Sequence, residues 1–274
     1  MTDPRLFQIA FLSSFLLLGL YRFEFRLETA QVALTFASGL AVQAYFLSRL
    51  RLSDGYKSAL VTCLGTCLLV RSDTLWIHPA AAAVGLGGKF LLRARGKHLF
   101  NPANLGVVCA LASGFAWVSP AQWGHETMTA AWVLLLGTAV VRSARRSDVS
   151  LAFLGCFLGL CALRVLWLGQ HWAVLGHRLD DGSLLLFTFF MISDPRTLPD
   201  SRRGRAALAF LVALLAFYWQ FGLYRYNGLF YALFLLTPTT AFWDRLWPGN
   251  KYDWTSENRH ANQMAPGSTA PLPA

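Results

Sequence analysis

Two polar stretches hold the side chains best suited to chemistry in this chain. The first reads Phe100-Asn101-Pro102-Ala103-Asn104-Leu105-Gly106. The second, roughly ninety residues on, reads Ser193-Asp194-Pro195-Arg196-Thr197-Leu198-Pro199-Asp200-Ser201-Arg202-Arg203-Gly204-Arg205. Asn101 is a good N-cap and Pro102 suits a first helical position. The helix behind them turns unpaired N–H groups outward, an arrangement that attracts anions, phosphate included. The plain alternative is that the stretch only starts a helix. In the second stretch, Asp194 sits where an apolar helix ends. A carboxylate at membrane depth pairs with a base or lines an ion path, and Arg196, Arg203 and Arg205 are near enough in sequence to be partners. Arginine also grips phosphate in bidentate fashion. The plain alternative is a capped turn with interfacial basic residues.

The elements that must position these residues are apolar. The chain has 274 residues, 55% hydrophobic and 14% charged, with mean hydropathy +0.43. A soluble domain of this length carries about 25% charge. Apolar runs predict ten helices, near 6–21, 30–48, 57–71, 74–93, 102–118, 128–142, 149–169, 182–193, 204–222 and 227–243. The expected fold is all-α: a polytopic membrane protein of about ten transmembrane helices. Backbone polar groups in lipid must bond within their own segment, so helices are the expected spans. Segments 57–71 and 182–193 are short and suggest broken or re-entrant helices. The expected membrane domain is 1–247, followed by a polar cytoplasmic tail, 248–274, whose end is expected to be disordered.

Basic residues fall in alternate gaps. Of the 24 Lys and Arg, 18 lie in the gaps assigned inside and six (Arg22, Arg26, Arg71, Arg164, Arg178, Arg225) outside. Short cytoplasmic loops collect Lys and Arg, so both termini are expected to face the cytoplasm across an inner (plasma) membrane. The net charge of +10 suits anionic membrane lipid; no nucleic acid is expected as a partner. No cleavable signal is expected, and Leu6 to Tyr21 is read as the first helix.

The remaining candidates carry less. Cys63, Cys67, Cys109, Cys156 and Cys161 lie in apolar runs and read as small buried hydrophobes, with an iron–sulfur cluster as the lesser alternative. His78, His98, His125, His171 and His177 lack the spacing of a haem pair within spans. Lys89 and Arg164 are placed to snorkel toward a boundary, Arg164 alternatively to pair with Glu126 or Asp180. The AAAAVGLGG run at 80–88 and the Gly155/Gly159 pair predict close helix packing. No acidic residue is expected at a helix centre, so coupled ion movement would need partner subunits. The tryptophans read first as an interfacial belt.

FNPANLG followed by FMISDPRTLPDSRRGR resembles the RnfD/NqrB family, the integral membrane subunits of Rnf and sodium-translocating NADH:quinone reductase complexes. Asn101, Pro102 and Ala103 match the first motif of that family. Asp194, Pro195, Thr197, Gly204 and Arg205 match the second. The resemblance, over about residues 30 to 245, implies a ten-helix, flavin-binding fold in a membrane redox chain, with other membrane subunits as partners. It implies electron transfer as the function, and the residues expected to contact the cofactor are Asn101, Pro102, Asn104, Asp194, Thr197, Arg203 and Arg205. Flavin-bearing members carry FMN covalently on a threonine in an Asp-x-x-Ser/Thr-x-Ala-Thr motif. The corresponding stretch, Ser119 to Thr129, has neither the aspartate nor the Ala-Thr pair, so Thr127 and Thr129 are not expected to carry it. Any flavin, FMN or riboflavin, is therefore expected to be non-covalent. The chain is also short for the family and is similar in size to related membrane proteins of enediyne biosynthesis clusters. The rival readings are a channel or transporter for a small solute or flavin, and an accessory membrane protein of a biosynthetic cluster.

Overall fold

Apolar runs and their caps set the architecture of the computed structural model, which describes residues 4–21, 25–52, 55–118, 147–179 and 181–250. The chain is mostly helical: α1 (Pro4–Tyr21), α2 (Thr29–Leu50), α3 (Tyr56–Leu69), α4 (Ile77–Leu91), α5 (Pro102–Ala112), α6 (Ser147–Trp167), α7 (Ala173–Leu179), α8 (Gly182–Leu186), α9 (Arg202–Phe221), α10 (Gly228–Leu236) and α11 (Thr240–Leu246). A π turn, Phe187–Met191, continues α8, and a 3-10 turn, Thr237–Thr239, joins α10 to α11. The expected helix at 128–142 and the expected disordered end at 263–274 lie outside the described residues.

Among the described residues three helices, α2, α6 and α9, are long and apolar enough to cross a membrane. At 1.5 Å per residue, the 22 residues of α2 extend about 33 Å, the thickness of a bilayer core. Shorter apolar helices run over Arg5–Tyr21, Tyr56–Leu69, Pro102–Ala112 and Gly182–Met191. The expected helix at 102–118 stops at Ala112, because Ser113 caps it and Gly114 takes a φ of 78° that few side chains tolerate. Beyond it Trp117–Val118 (β4) pairs antiparallel with Val70–Arg71 (β1). A second ribbon, Arg93–Ala94 (β2) with Lys97–His98 (β3), turns the chain between α4 and α5. Both ribbons are too short to show a period-two pattern.

One half of the bundle packs α1, α2, α3 and α4 together; the other packs α6, α9 and α10; α5 joins them through α4 and α10. The joint depends on small residues. A Cβ on Gly85 would overlap the Pro102 carbonyl, and one on Gly106 would overlap the Ala81 carbonyl. The 80–88 run therefore packs as expected, and Gly106 of the first motif is its counterpart. The Gly155/Gly159 expectation is not met among the described residues: none of them comes within 4 Å of a Cβ added at either glycine. Both lie on the exposed face of α6. The principal core gathers Phe15, Phe153, Phe187, Phe230, Leu208 and Val212 from both halves.

This packing predicts opposite outcomes for two alanine substitutions. Gly106→Ala drives a methyl into the α4 backbone and should cost about 1–3 kcal/mol. Gly159→Ala meets open space and should be neutral or stabilising by up to about 1 kcal/mol. Thermal unfolding of the detergent-solubilised variants measures both.

Candidate functional site

The capped start of α5 is the first part of the site. Asn101 Oδ1 accepts the Asn104 N–H at 3.0 Å, with Pro102 at the first helical position, as the sequence predicts. The amide nitrogen of the same side chain reaches across the bundle. Asn101 Nδ2 donates to Asp194 Oδ2 at 3.2 Å and lies 3.4 Å from the Met191 carbonyl. The two motifs are therefore in direct contact.

The second motif forms where a helix fails. Residues Phe187–Met191 take π geometry, and Ile192 N bonds back to the Phe187 carbonyl. Such insertions cluster at functional sites. Pro195 then follows, and the preceding Asp194 cannot stay comfortably helical. Asp194 Oδ1 accepts the Arg196 N–H at 3.0 Å, and Thr197 Oγ1 donates to the Asp194 carbonyl at 3.1 Å. Burial pushes the Asp194 carboxyl above its ordinary value; the Arg196 N–H, the Arg196 and Lys89 charges and the Asn101 amide oppose that.

Of the three arginines expected as partners of Asp194, Arg196 meets it through its backbone N–H, while Arg203 and Arg205 do not, which corrects that part of the expectation. Arg205 is buried against Asp148, with Nε at 2.9 Å and Nη2 at 2.7 Å from Oδ2, and Nη1 donates to the Asp200 carbonyl. It ties α9 to the start of α6. Arg203 is exposed. Thr197 is buried and its carbonyl accepts the Thr240 hydroxyl at 2.8 Å. Asn104 faces the other way, its Nδ2 donating to the Phe230 carbonyl at 3.1 Å.

Between the two motifs and α1–α4 lies a cavity of about 420 Å³. Of the seven sequence-predicted residues, Asn101, Pro102 and Asp194 line it; Asn104, Thr197, Arg203 and Arg205 do not. Its apolar wall includes Leu12, Val61, Leu69, Leu186, Phe189 and Phe190. Its polar residues include Gln43, Ser58, Lys89 and His98, none foreseen as part of a site. One signal was available for Gln43. Gln31, Thr35, Gly39, Gln43 and Leu47 recur every fourth residue and form the buried face of α2. Polar side chains on the inward stripe of an apolar helix mark an interior function.

The floor of this region is held by Lys97 of β3. Its ammonium is 2.9 Å from Asp200 and 2.6 Å from Asp244, and it donates to the Leu198 carbonyl at 2.9 Å. Asp244 Oδ1 also accepts the Asp200 N–H at 2.8 Å. The β2–β3 ribbon is thus clamped to the second motif and to α11.

Among the described residues no group of three or more His, Cys, Asp or Glu could hold a metal. Cys63, Cys67 and Cys161 are buried, Cys109 is exposed, and none of the five forms a disulfide among the described residues. His78 is buried, its Nε2 within 3.0 Å of the Val70 carbonyl. Arg164 stacks over Phe221 and bonds Gln170; Glu126 and Asp180, its alternative partners, lie outside the described residues, as do Thr127, Thr129 and His125. Comparison with protein-family models and with curated proteins finds no match.

His98 generates a pH prediction. Burial, together with Lys89, Arg93 and Arg196, pushes its pKa down to about 4. The folded imidazole stays neutral while the unfolded one charges near pH 6.5. Its contribution to stability is present above pH 6.5 and is lost as pH falls toward 4, at up to about 1.4 kcal/mol per pH unit. His98→Gln should flatten that limb of the stability–pH profile; an unchanged slope would exclude the assignment.

Proposed function

We propose that this chain is an integral membrane subunit that holds a flavin without a covalent link and relays electrons to partner subunits. The proposed arrangement is about ten spans in an inner membrane, both termini cytoplasmic and the cavity opening toward that side. The observation that carries the reading is the Asn101–Asp194 contact at the wall of a 420 Å³ cavity. It brings together the two motifs on which the RnfD/NqrB resemblance rests.

The residues fit the group. Cofactor pockets run from about 300 to 1,000 Å³ and pair apolar walls with a few placed polar groups. The aromatic and aliphatic wall suits a flat ring system. Asn101 would orient its polar edge, and Asp194, with lone pairs still unused, would accept from a ring N–H. Gln43 Nε2 and His98 Nδ1 are buried atoms without a partner, and both residues line the cavity. A flavin supplies one- and two-electron redox chemistry when bound; the chain supplies binding, orientation and exclusion of water. Coupled ion movement, if the complex performs it, belongs to the assembly.

The broken segment at 187–191 beside the cavity also suits a solute carrier. One preparation separates the two readings. The detergent-purified protein should show a flavin absorption band that dithionite bleaches. Denaturing gels under ultraviolet light should show no fluorescent band at the mass of the protein. Asp194→Ala should weaken flavin retention about tenfold or more, the loss of one charged hydrogen bond. A colourless wild-type protein that moves solute into liposomes would overturn the redox reading.

A further inference from the structure

A lysine sits at the polar end of the cavity without a carboxylate beside it. Lys89 Nζ donates to Gln43 Oε1 at 3.3 Å and to Ser58 Oγ at 3.2 Å, both neutral acceptors. Among the described residues no carboxylate lies within ion-pair distance of it. An ammonium has three N–H donors; two are used on these acceptors, and the remaining neighbour is the face of the Phe90 ring, 5.2 Å from Nζ. Gln43, on α2, is fully buried, and its Nε2 has no partner at all. An orphaned buried donor costs about 1–3 kcal/mol, which a ligand acceptor at this point would relieve.

The Gly55 backbone packs closely against that amide. Gly55 has a φ of 154°, and a Cβ there would overlap Gln43 Nε2. Any side chain at 55 would push the Gln43 amide out of this corner. Arg93 and Arg196 stand on the same lining, and Asp194 is the one carboxylate among the described lining residues. The local balance is positive. Arginine and lysine together favour an oxyanion with several terminal oxygens. The rest of the wall is apolar and aromatic.

We propose that the Lys89–Gln43–Gly55 corner binds the phosphate head of an amphiphilic ligand whose apolar body lies along Leu12, Val61, Leu69 and Phe189. This rests on the flavin reading only in placing a ligand body in the same cavity. Phosphate of this kind reaches a membrane protein from two sources: a phosphorylated flavin, or the headgroup of an anionic lipid.

Both sources are tested in nanodiscs of phosphatidylcholine, with wild type, Lys89→Gln and Lys89→Arg. FMN and riboflavin are titrated by flavin fluorescence. In a second arm phosphatidylglycerol is added, the protein is stripped with detergent, and retained lipid is measured by mass spectrometry. Wild type should prefer FMN over riboflavin by about tenfold, the scale of one charge-assisted contact. Lys89→Gln should abolish that preference and Lys89→Arg should restore most of it. Retention of phosphatidylglycerol by wild type and its loss in Lys89→Gln, without an FMN preference, supports the same corner with lipid as the source. If neither flavin binds, the flavin reading fails and the lipid arm alone decides the inference. Equal FMN and riboflavin affinity with no Lys89-dependent lipid retention overturns it, as does a preference that survives Lys89→Gln.

Discussion

The Asn101 side chain makes two commitments at once, and the rest of the site depends on both. Its oxygen caps α5, so the helix begins at that point. Its nitrogen reaches Asp194, so the turn after the π segment is held against that helix start. Alanine would lose both, serine would keep the cap but not the reach to Asp194, and aspartate would repel the carboxylate it must approach. The chain interrupts α8 so that Asp194 leaves the helix at the cavity wall. Polar groups of that turn find partners nearby: Arg196 N and Thr197 Oγ1 return to Asp194 itself.

Charge is used differently at the two levels of this end of the molecule. Lys97 is fully compensated by Asp200 and Asp244 and works as a clamp. Arg205 is compensated by Asp148 and ties two helices. Lys89 has only neutral acceptors beside it. An uncompensated buried charge is costly. Lys97 and Arg205, which hold elements together, have acids, and Lys89 on the cavity wall does not.

Much of this was legible in the chain. The N-cap at Asn101, the proline after it and the short segment ending near Asp194 follow from local chemistry, and the helices come from unbroken apolar runs. The partnership between Asn101 and Asp194 was not legible, because roughly ninety residues separate them and only tertiary packing joins them. Arg205 was misassigned for a related reason. It lies close to Asp194 in sequence, but the α9 start turns it toward Asp148 at the head of α6. Gly155 and Gly159 have the right spacing for packing, yet α6 presents them outward. Spacing within one helix fixes which residues share a face; it does not say what that face meets.

The most direct measurement is a double-mutant cycle on Asn101→Ala and Asp194→Ala, read as unfolding free energy by SDS titration in mixed micelles. A hydrogen bond to a charged group predicts a coupling of about 1.5–3 kcal/mol. Additivity within about 0.5 kcal/mol would mean that the two motifs do not hold each other, and would contradict the account.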